Sequence, residues 1–265
     1  MTFKMIKIFI TGISKGIGRS IAENLVSQSN YKVIGSCRNP ELVTNKIEGI
    51  EYLALDLSNP LTIQTCIERL RDIDIMINNA GQSQIGSVED ISMNKIREMY
   101  EVNLFGNIEL IKGVVPRLRE RGKGLIINIG SMTGSFALPL YSSYCASKAA
   151  FQMFSMCLRQ ELGQFGITVV HIEPNDIKTT ITPELLYKEG GVYENLAKTV
   201  REKVRVNMDK AENPEIVAKL VVKIIELKNP KPKYTVGGNG NFLVFVKRFV
   251  SYRFMEKMIM KMYGL

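Results

Sequence analysis

The chain has 265 residues, 45 % hydrophobic and 23 % charged, the balance of a globular protein with a full apolar core. Its formal charge of +9 is spread along the chain and denser near the C-terminus, which reads as solvated cations and not as a nucleic-acid face. A single histidine (His171, in an apolar run), four cysteines without a C-x-x-C pair (Cys37, Cys66, Cys145, Cys157) and no apolar run of about 18 residues argue against histidine catalysis, a metal site and a spanning helix. They lead to the expectation of a reduced, cytoplasmic protein.

Lys7–Ile10 reads as a short buried strand; the first apolar run, Met5–Ile10, is too short for a signal peptide and runs directly into the glycine loop TGISKGIG. Helical apolar spacing follows over Ser20–Ser29. Strand, glycine loop and helix in that order make a phosphate cradle, because Gly12, Gly16 and Gly18 let the backbone close on a pyrophosphate at a helix N-terminus. A structural turn fits the same glycines. Lys32–Ser36 is the second strand. Where an NAD binder carries an acid, this chain has Cys37 followed by Arg38, with Lys15 in the loop nearby. An arginine grips a 2′-phosphate that an acid would repel, so the expected cofactor is NADP(H) over NAD(H); two surface cations are the plainer alternative.

Tyr52–Leu55 is a third strand ending at Asp56, Pro60–Leu70 a helix, and Ile73–Ile77 a fourth strand ending in Asn78-Asn79-Ala80-Gly81. Met93–Arg119 reads as a long helix, bent near Gly106 and Pro116, that carries Asn103. Leu125–Ile129 and Thr168–Ile172 are the fifth and sixth strands, flanking a helix over Ser142–Phe165. Pro214–Leu227 is a further helix and Tyr234–Val236 the last strand. Short apolar strands alternating with helices predict an α/β fold: a single-domain, doubly wound parallel sheet with helices on both faces.

The chemistry concentrates between Ser131 and Lys148. Tyr144 and Lys148 are four apart and share one helix face. A neighbouring ammonium favours phenolate and is expected to lower the phenol from its usual pKa of about 10, so that it can exchange a proton with a carbonyl or alcohol oxygen. Ser131 emerges at the end of the fifth strand, where its hydroxyl can donate to the same oxygen. Taken alone, the Tyr-x-x-x-Lys spacing also fits an ordinary helix.

Together TGISKGIG, the Asn-Asn-Ala-Gly tetrad, Asn103, Ser131, Tyr144-Ser-x-x-Lys148 and the proline after the sixth strand resemble the short-chain dehydrogenase/reductase family, in its order and spacing from Lys7 to about Thr179. The resemblance implies a Rossmann-type fold and hydride transfer between a nicotinamide and a carbonyl or secondary alcohol. It implies Tyr144 as acid/base, Lys148 on the nicotinamide ribose, Ser131 on the substrate oxygen and Asn103 holding a relay water. It places Gly12, Ser14, Lys15, Gly16, Ile17 and Gly18 at the phosphates, with Arg38 near the 2′-phosphate. Asp56 and Leu57 fall by the adenine, and Asn78, Asn79, Ala80 and Gly81 under the ribose, Asn78 being equally suited to tying strands together. Ile177 and Thr179 fall near the carboxamide. The family usually has Pro-Gly after the sixth strand; here it is Pro174-Asn175, and asparagine tolerates the left-handed backbone such a turn takes.

The segment from about 175 to 210 is the expected substrate cover, containing Thr179, Thr180, Leu185, Leu186, Tyr187 and Tyr193. With the apolar stretch Phe136-Ala137-Leu138-Pro139-Leu140 it suggests a hydrophobic carbonyl substrate: lipid, steroid-like or acyl. From about 239 to 265 the chain reads as one amphipathic helix with Arg253, Lys257 and Lys261 along an edge. A lid, a peripheral membrane contact and plain packing or a dimer interface are its three readings. Family members are commonly homodimers or homotetramers. Two other functions fit the sequence: a 3-oxoacyl carrier-protein reductase, with Arg117, Arg119, Arg121 and Lys123 meeting an acidic carrier, and a non-catalytic NADP-binding regulator.

Overall fold

Residues 5–178 and 183–265 are described by the structure, a computed structural model. In chain order they form β1 (Ile6–Thr11), α1 (Gly16–Val26), β2 (Tyr31–Cys37), β3 (Glu51–Ala54), α2 (Pro60–Arg69), β4 (Ile75–Asn78), β5 (Gln84–Gly86) and α3 (Met93–Tyr100). A π-helical turn (Glu101–Phe105) leads into α4 (Gly106–Glu120), β6 (Gly124–Ile129) and α5 (Ser142–Gly163). Then come β7 (Ile167–Pro174), β8 (Glu184–Leu186), α6 (Glu194–Asp209), α7 (Glu215–Glu226), β9 (Lys233–Val236), α8 (Gly240–Val246) and α9 (Tyr252–Tyr263).

Side-chain alternation along the central strands builds two cores, one on each face of the sheet. On β1, Ile8 and Ile10 face one side and Phe9 the other; on β4, Ile75 and Ile77 join the first two while Met76 joins Phe9. The register keeps like with like: Ile8 pairs with Ile75, Phe9 with Met76 and Ile10 with Ile77. α1 and α7 cover the first face through Ile21, Leu25, Val217 and Val221, and α2, α4 and α5 cover the second through Ile63, Leu110, Val114 and Phe151. Burying each such large side chain is worth about 1.5–3 kcal/mol.

The seven-stranded sheet is parallel, in the order β3-β2-β1-β4-β6-β7-β9. All seven strands read from the sequence are in it. The order reverses between β1 and β4, and a crevice opens there beyond the carboxyl ends of the strands.

The differences from the sequence reading have local causes. α1 starts at Gly16, inside the glycine loop, and not at Ser20. Glycine is a poor helix former, but the close approach of Gly18 to the β4 loop overrides propensity. The Met93–Arg119 helix contains the π turn at Glu101–Phe105, immediately before Gly106. The C-terminal extension is two helices: Ser251 interrupts it and caps α9, its hydroxyl accepting from the Phe254 N–H at 3.3 Å. α6 and the three-residue parallel pair β5–β8 were not read from the sequence at all.

Candidate active site

Two loops meet at the sheet's reversal and fasten each other. Thr11 Oγ1 accepts from the backbone N–H groups of Asn79 and Ala80, both at 2.9 Å, and Asn79 Nδ2 donates to the carbonyls of Thr11 at 2.9 Å and Gly12 at 3.2 Å. The packing leaves no room for side chains. Gly12 has φ +74°, and a Cβ on Gly18 would fall 2.3 Å from Asn79 Nδ2 and from the Gly12 carbonyl oxygen. The N-terminus of α1 has neither a side-chain cap nor an acid in its first turn, so its free N–H groups suit a phosphate. Ser14, Lys15 and Ile17 line the crevice beside it, with Cys37, Arg38, Asp56 and Leu57 further along. Gly16 (φ +61°) and Gly18, also expected at the phosphates, do not line the crevice; Gly18 instead packs against Asn79 and Gly12. Asp56 accepts from the Ser58 N–H at 2.9 Å and the Ser58 hydroxyl at 2.6 Å, while Arg38 makes no ion pair among the described residues.

At the other end, the constellation read from the sequence comes together. Ser131 closes β6 and caps a short 3-10 turn (Met132–Gly134), accepting from Thr133 through its backbone N–H at 3.2 Å and its hydroxyl at 2.9 Å. That turn packs tightly on α5: a Cβ on Gly134 would sit 3.0 Å from the Lys148 backbone. Tyr144 and Lys148 share the inner face of α5, with the ammonium 5.9 Å from the phenol ring centre. Lys148 Nζ and Asn103 Oδ1 both lie against Gly81, within 3.2 and 3.1 Å of where a Cβ would be. Asn103, carried by the π turn and buried, accepts from the Gln82 N–H at 2.8 Å and donates to the Gln82 carbonyl at 2.9 Å and to the Ser147 hydroxyl at 3.2 Å.

The electrostatics differ from the sequence expectation. Burial pushes the Tyr144 phenol up; hydrogen bonds with Ser131 and Thr133 oppose this, and the thiol of Cys145 adds to it. Burial without an acidic partner instead brings the Lys148 ammonium down to about 8. The phenol thus keeps its proton at neutral pH, which suits a proton donor.

Three expectations shift. Asn78 lies beneath the crevice and takes the strand-tying role: it donates to Asn128 Oδ1 at 2.8 Å, and Asn128 donates to Ser155 at 2.9 Å. The left-handed residue after β7 is Asp176 (φ +40°), not Asn175, whose N–H donates to the Val236 carbonyl at 2.8 Å and whose carbonyl backs onto Gly237. Of the residues assigned to the carboxamide, Ile177 lines the crevice and Thr179 lies outside the described residues, as does Thr180. His171 is a buried strand histidine as read, held neutral by burial with its pKa near 3.

The crevice also has apolar walls from distant segments: Leu138, Tyr141, Val204, Met208 and Tyr263. Tyr263, the last residue of α9, is buried in one cluster with Ile85, Tyr141 and Val200, against which Tyr144 and Ile259 pack. The sequence reading missed Thr11 as the loop clamp, Gln82 and Ser147 as the partners of Asn103, and Tyr263 as a wall. The Thr11 signal was present in the glycine motif itself; the Tyr263 contact has no local signal. Two of the four cations offered for carrier docking bond the backbone: Arg117 donates to the Ile67 carbonyl at 2.7 Å and Arg121 to that of Ile73, at the end of β4 away from the crevice.

The fold and crevice define a dinucleotide-dependent α/β oxidoreductase. The chain belongs to the short-chain dehydrogenase family, whose model matches residues 7–190. It is 32 % identical over 248 residues to an oxidoreductase of Botryotinia fuckeliana, covering 86 % of this chain and 88 % of that protein. It is 29 % identical over 238 residues to a 3-ketodihydrosphingosine reductase of Bacteroides thetaiotaomicron, covering 87 % of both. A short-chain dehydrogenase structure from Streptomyces avermitilis superposes with a TM-score of 0.80 at 26 % identity, over 92 % of this chain and 94 % of that one. The protein is therefore an oxidoreductase acting on CH–OH groups with a nicotinamide cofactor.

Proposed function

We propose that the protein is an NADP(H)-dependent reductase of hydrophobic ketones, with Tyr144 as the acid/base. The observation that carries this reading is the convergence of Ser131, Tyr144 and Lys148 on one crevice, with Lys148 against Gly81 and a glycine cradle in the same crevice. When bound, the nicotinamide supplies the hydride. The protein's own part is to hold the carbonyl oxygen and protonate it. Ser131 donates to the oxygen as negative charge grows there, and Tyr144 hands over its proton. Lys148, whose ammonium lies against Gly81, would hold the nicotinamide ribose. Asn103, anchored by Gln82 and Ser147, fixes the loop that holds Gly81 against the ammonium. Arg38 and Lys15, at the far end, favour a 2′-phosphate.

Ile177, Pro183, Val204 and Met208, which line the crevice, form part of the substrate cover. Leu138, Val204, Met208 and Tyr263 favour a long apolar substrate over a sugar, and the similarity to a reductase of a sphingoid ketone supports that class. Initial rates on a panel of ketones, from short and polar to long-chain, with NADPH and NADH in parallel, test the proposal. NADPH oxidation that rises with chain length is expected. A preference for NADH, or for small polar ketones, overturns the cofactor or the substrate assignment respectively. Tight NADPH binding with no turnover on any ketone identifies a non-catalytic regulator.

A further inference from the structure

The outward side of the two C-terminal helices carries a surface that the crevice does not use. Phe242, Phe245 and Phe249 follow at three- and four-residue spacing and are 65, 58 and 74 % exposed. The rings of Phe245 and Phe249 lean on each other with centroids 5.0 Å apart. On α9, Phe254, Met260 and Met262 are exposed, as is Leu265 beyond it. Arg253, Lys257 and Lys261 recur every four residues between them, on the side of α9 opposite the inward Met255, Ile259 and Tyr263. Arg248 adds a fourth cation, and Glu256 is the only acid from Asn241 to Leu265. None of these four cations makes an ion pair among the described residues. Lys247 is not part of this set: it turns inward, donating to the Ser135 carbonyl and lying over the Phe136 ring at 5.0 Å.

So dense a row of exposed aromatic and thioether side chains marks a surface that something covers. The cover must accept apolar groups and cations within the same two helical turns. A second copy of this chain would bring the same unpaired cations towards each other. Nucleic acid would take the cations but offers nothing for Met260, Met262 and Leu265. An anionic bilayer surface satisfies both sets, since aromatic and thioether groups enter the headgroup–acyl boundary while long basic side chains reach lipid phosphates. No helix among the described residues is long and apolar enough to cross a membrane, so the contact lies on the surface.

We infer that α8, α9 and the link between them dock the protein on an anionic lipid surface through Phe242, Phe245, Phe249, Arg253, Lys257 and Lys261. The inward face of the same helix puts Tyr263 in the crevice wall, so docking brings the apolar end of the crevice to the bilayer. The inference stands apart from the catalytic reading and is tested without turnover. The full chain is floated with vesicles of phosphatidylcholine alone and of phosphatidylcholine with phosphatidylglycerol. At least tenfold more protein on the anionic vesicles is expected, falling as salt is raised. Both Phe245→Ser/Phe249→Ser and Lys257→Glu/Lys261→Glu are expected to lower binding tenfold or more, with thermal melts reporting that each variant is folded. Equal or absent binding to both vesicles overturns the inference, as does binding that neither variant changes. A dimer in light scattering that Phe245→Ser/Phe249→Ser dissociates, without any vesicle binding, assigns the face to a second copy and overturns it too.

Discussion

The two ends of the crevice are built in different ways. The cofactor end is tight turns clamped by two short polar side chains: Thr11 and Asn79 bond the backbone of the facing loop, and Gly12 and Gly18 let the loops close. The substrate end is side chain against side chain: Leu138, Val204 and Tyr263 come from three segments far apart in sequence. A site made of tight turns tolerates almost no added atom. A wall of apolar side chains can be trimmed and still stand, so its changes should appear in substrate preference before they appear in folding.

The largest effect is expected where the two ends meet. Lys148→Met should cost turnover about 10³-fold while making the protein without cofactor more stable, by on the order of 3 kcal/mol, because it removes a buried ammonium with no acidic partner. The folded pKa of about 8 lies below the 10.5 of the free side chain. Between those values the unfolded chain binds the extra proton, so stability climbs as pH rises from about 8 towards 10.5 and gains nothing from this group below 8. Thermal melts across that range should show the slope in the wild type and lose it in the variant.

Gly18→Val comes next. Its Cβ would meet Asn79 and Gly12 at 2.3 Å, so dinucleotide affinity should fall at least tenfold and stability by about 1–3 kcal/mol. Gly163→Ala, at the end of α5 with nothing within 4 Å, is the control and should leave both unchanged. Calorimetric titration with NADPH checks the pair.

Arg38→Glu should lower the NADPH-to-NADH ratio of kcat/KM at least about tenfold, the worth of a charge-assisted hydrogen bond, with the melting temperature unmoved. Tyr263→Ala should be the mildest: KM for a long-chain ketone rises several-fold, kcat changes little, and a short ketone is unaffected. Equal effects of Tyr263→Ala on both ketones would dissolve the distinction between the ends.

The same contrast explains what the sequence could and could not reveal. The seven sheet strands were legible because Ile8, Ile10, Met76 and Ile127 lie in short apolar runs with turn residues at their ends. The cofactor end was legible because its contacts repeat a local spacing, and Tyr144, Lys148 and Ser131 because one helix turn and one strand end place them. β5 and β8 are three residues each, below any periodicity. α6 hid in a polar, charge-rich stretch whose buried positions are only Ala197 and Val200. Tyr263 reached the crevice through packing between α9 and the cluster around Tyr141, which no local pattern encodes. The expected lowering of Tyr144 rests on proximity, which four-residue spacing gives; burial, which spacing does not report, moves Tyr144 up and Lys148 down.

Tyr144→Phe tests the central claim most directly, since it removes one oxygen and leaves the ring packed against Tyr141. NADPH titration and ketone turnover are measured on the same preparation. The account predicts NADPH affinity within about twofold of wild type and turnover lower by about 10³-fold or more. Turnover that survives the substitution, with the cofactor still bound, would contradict it.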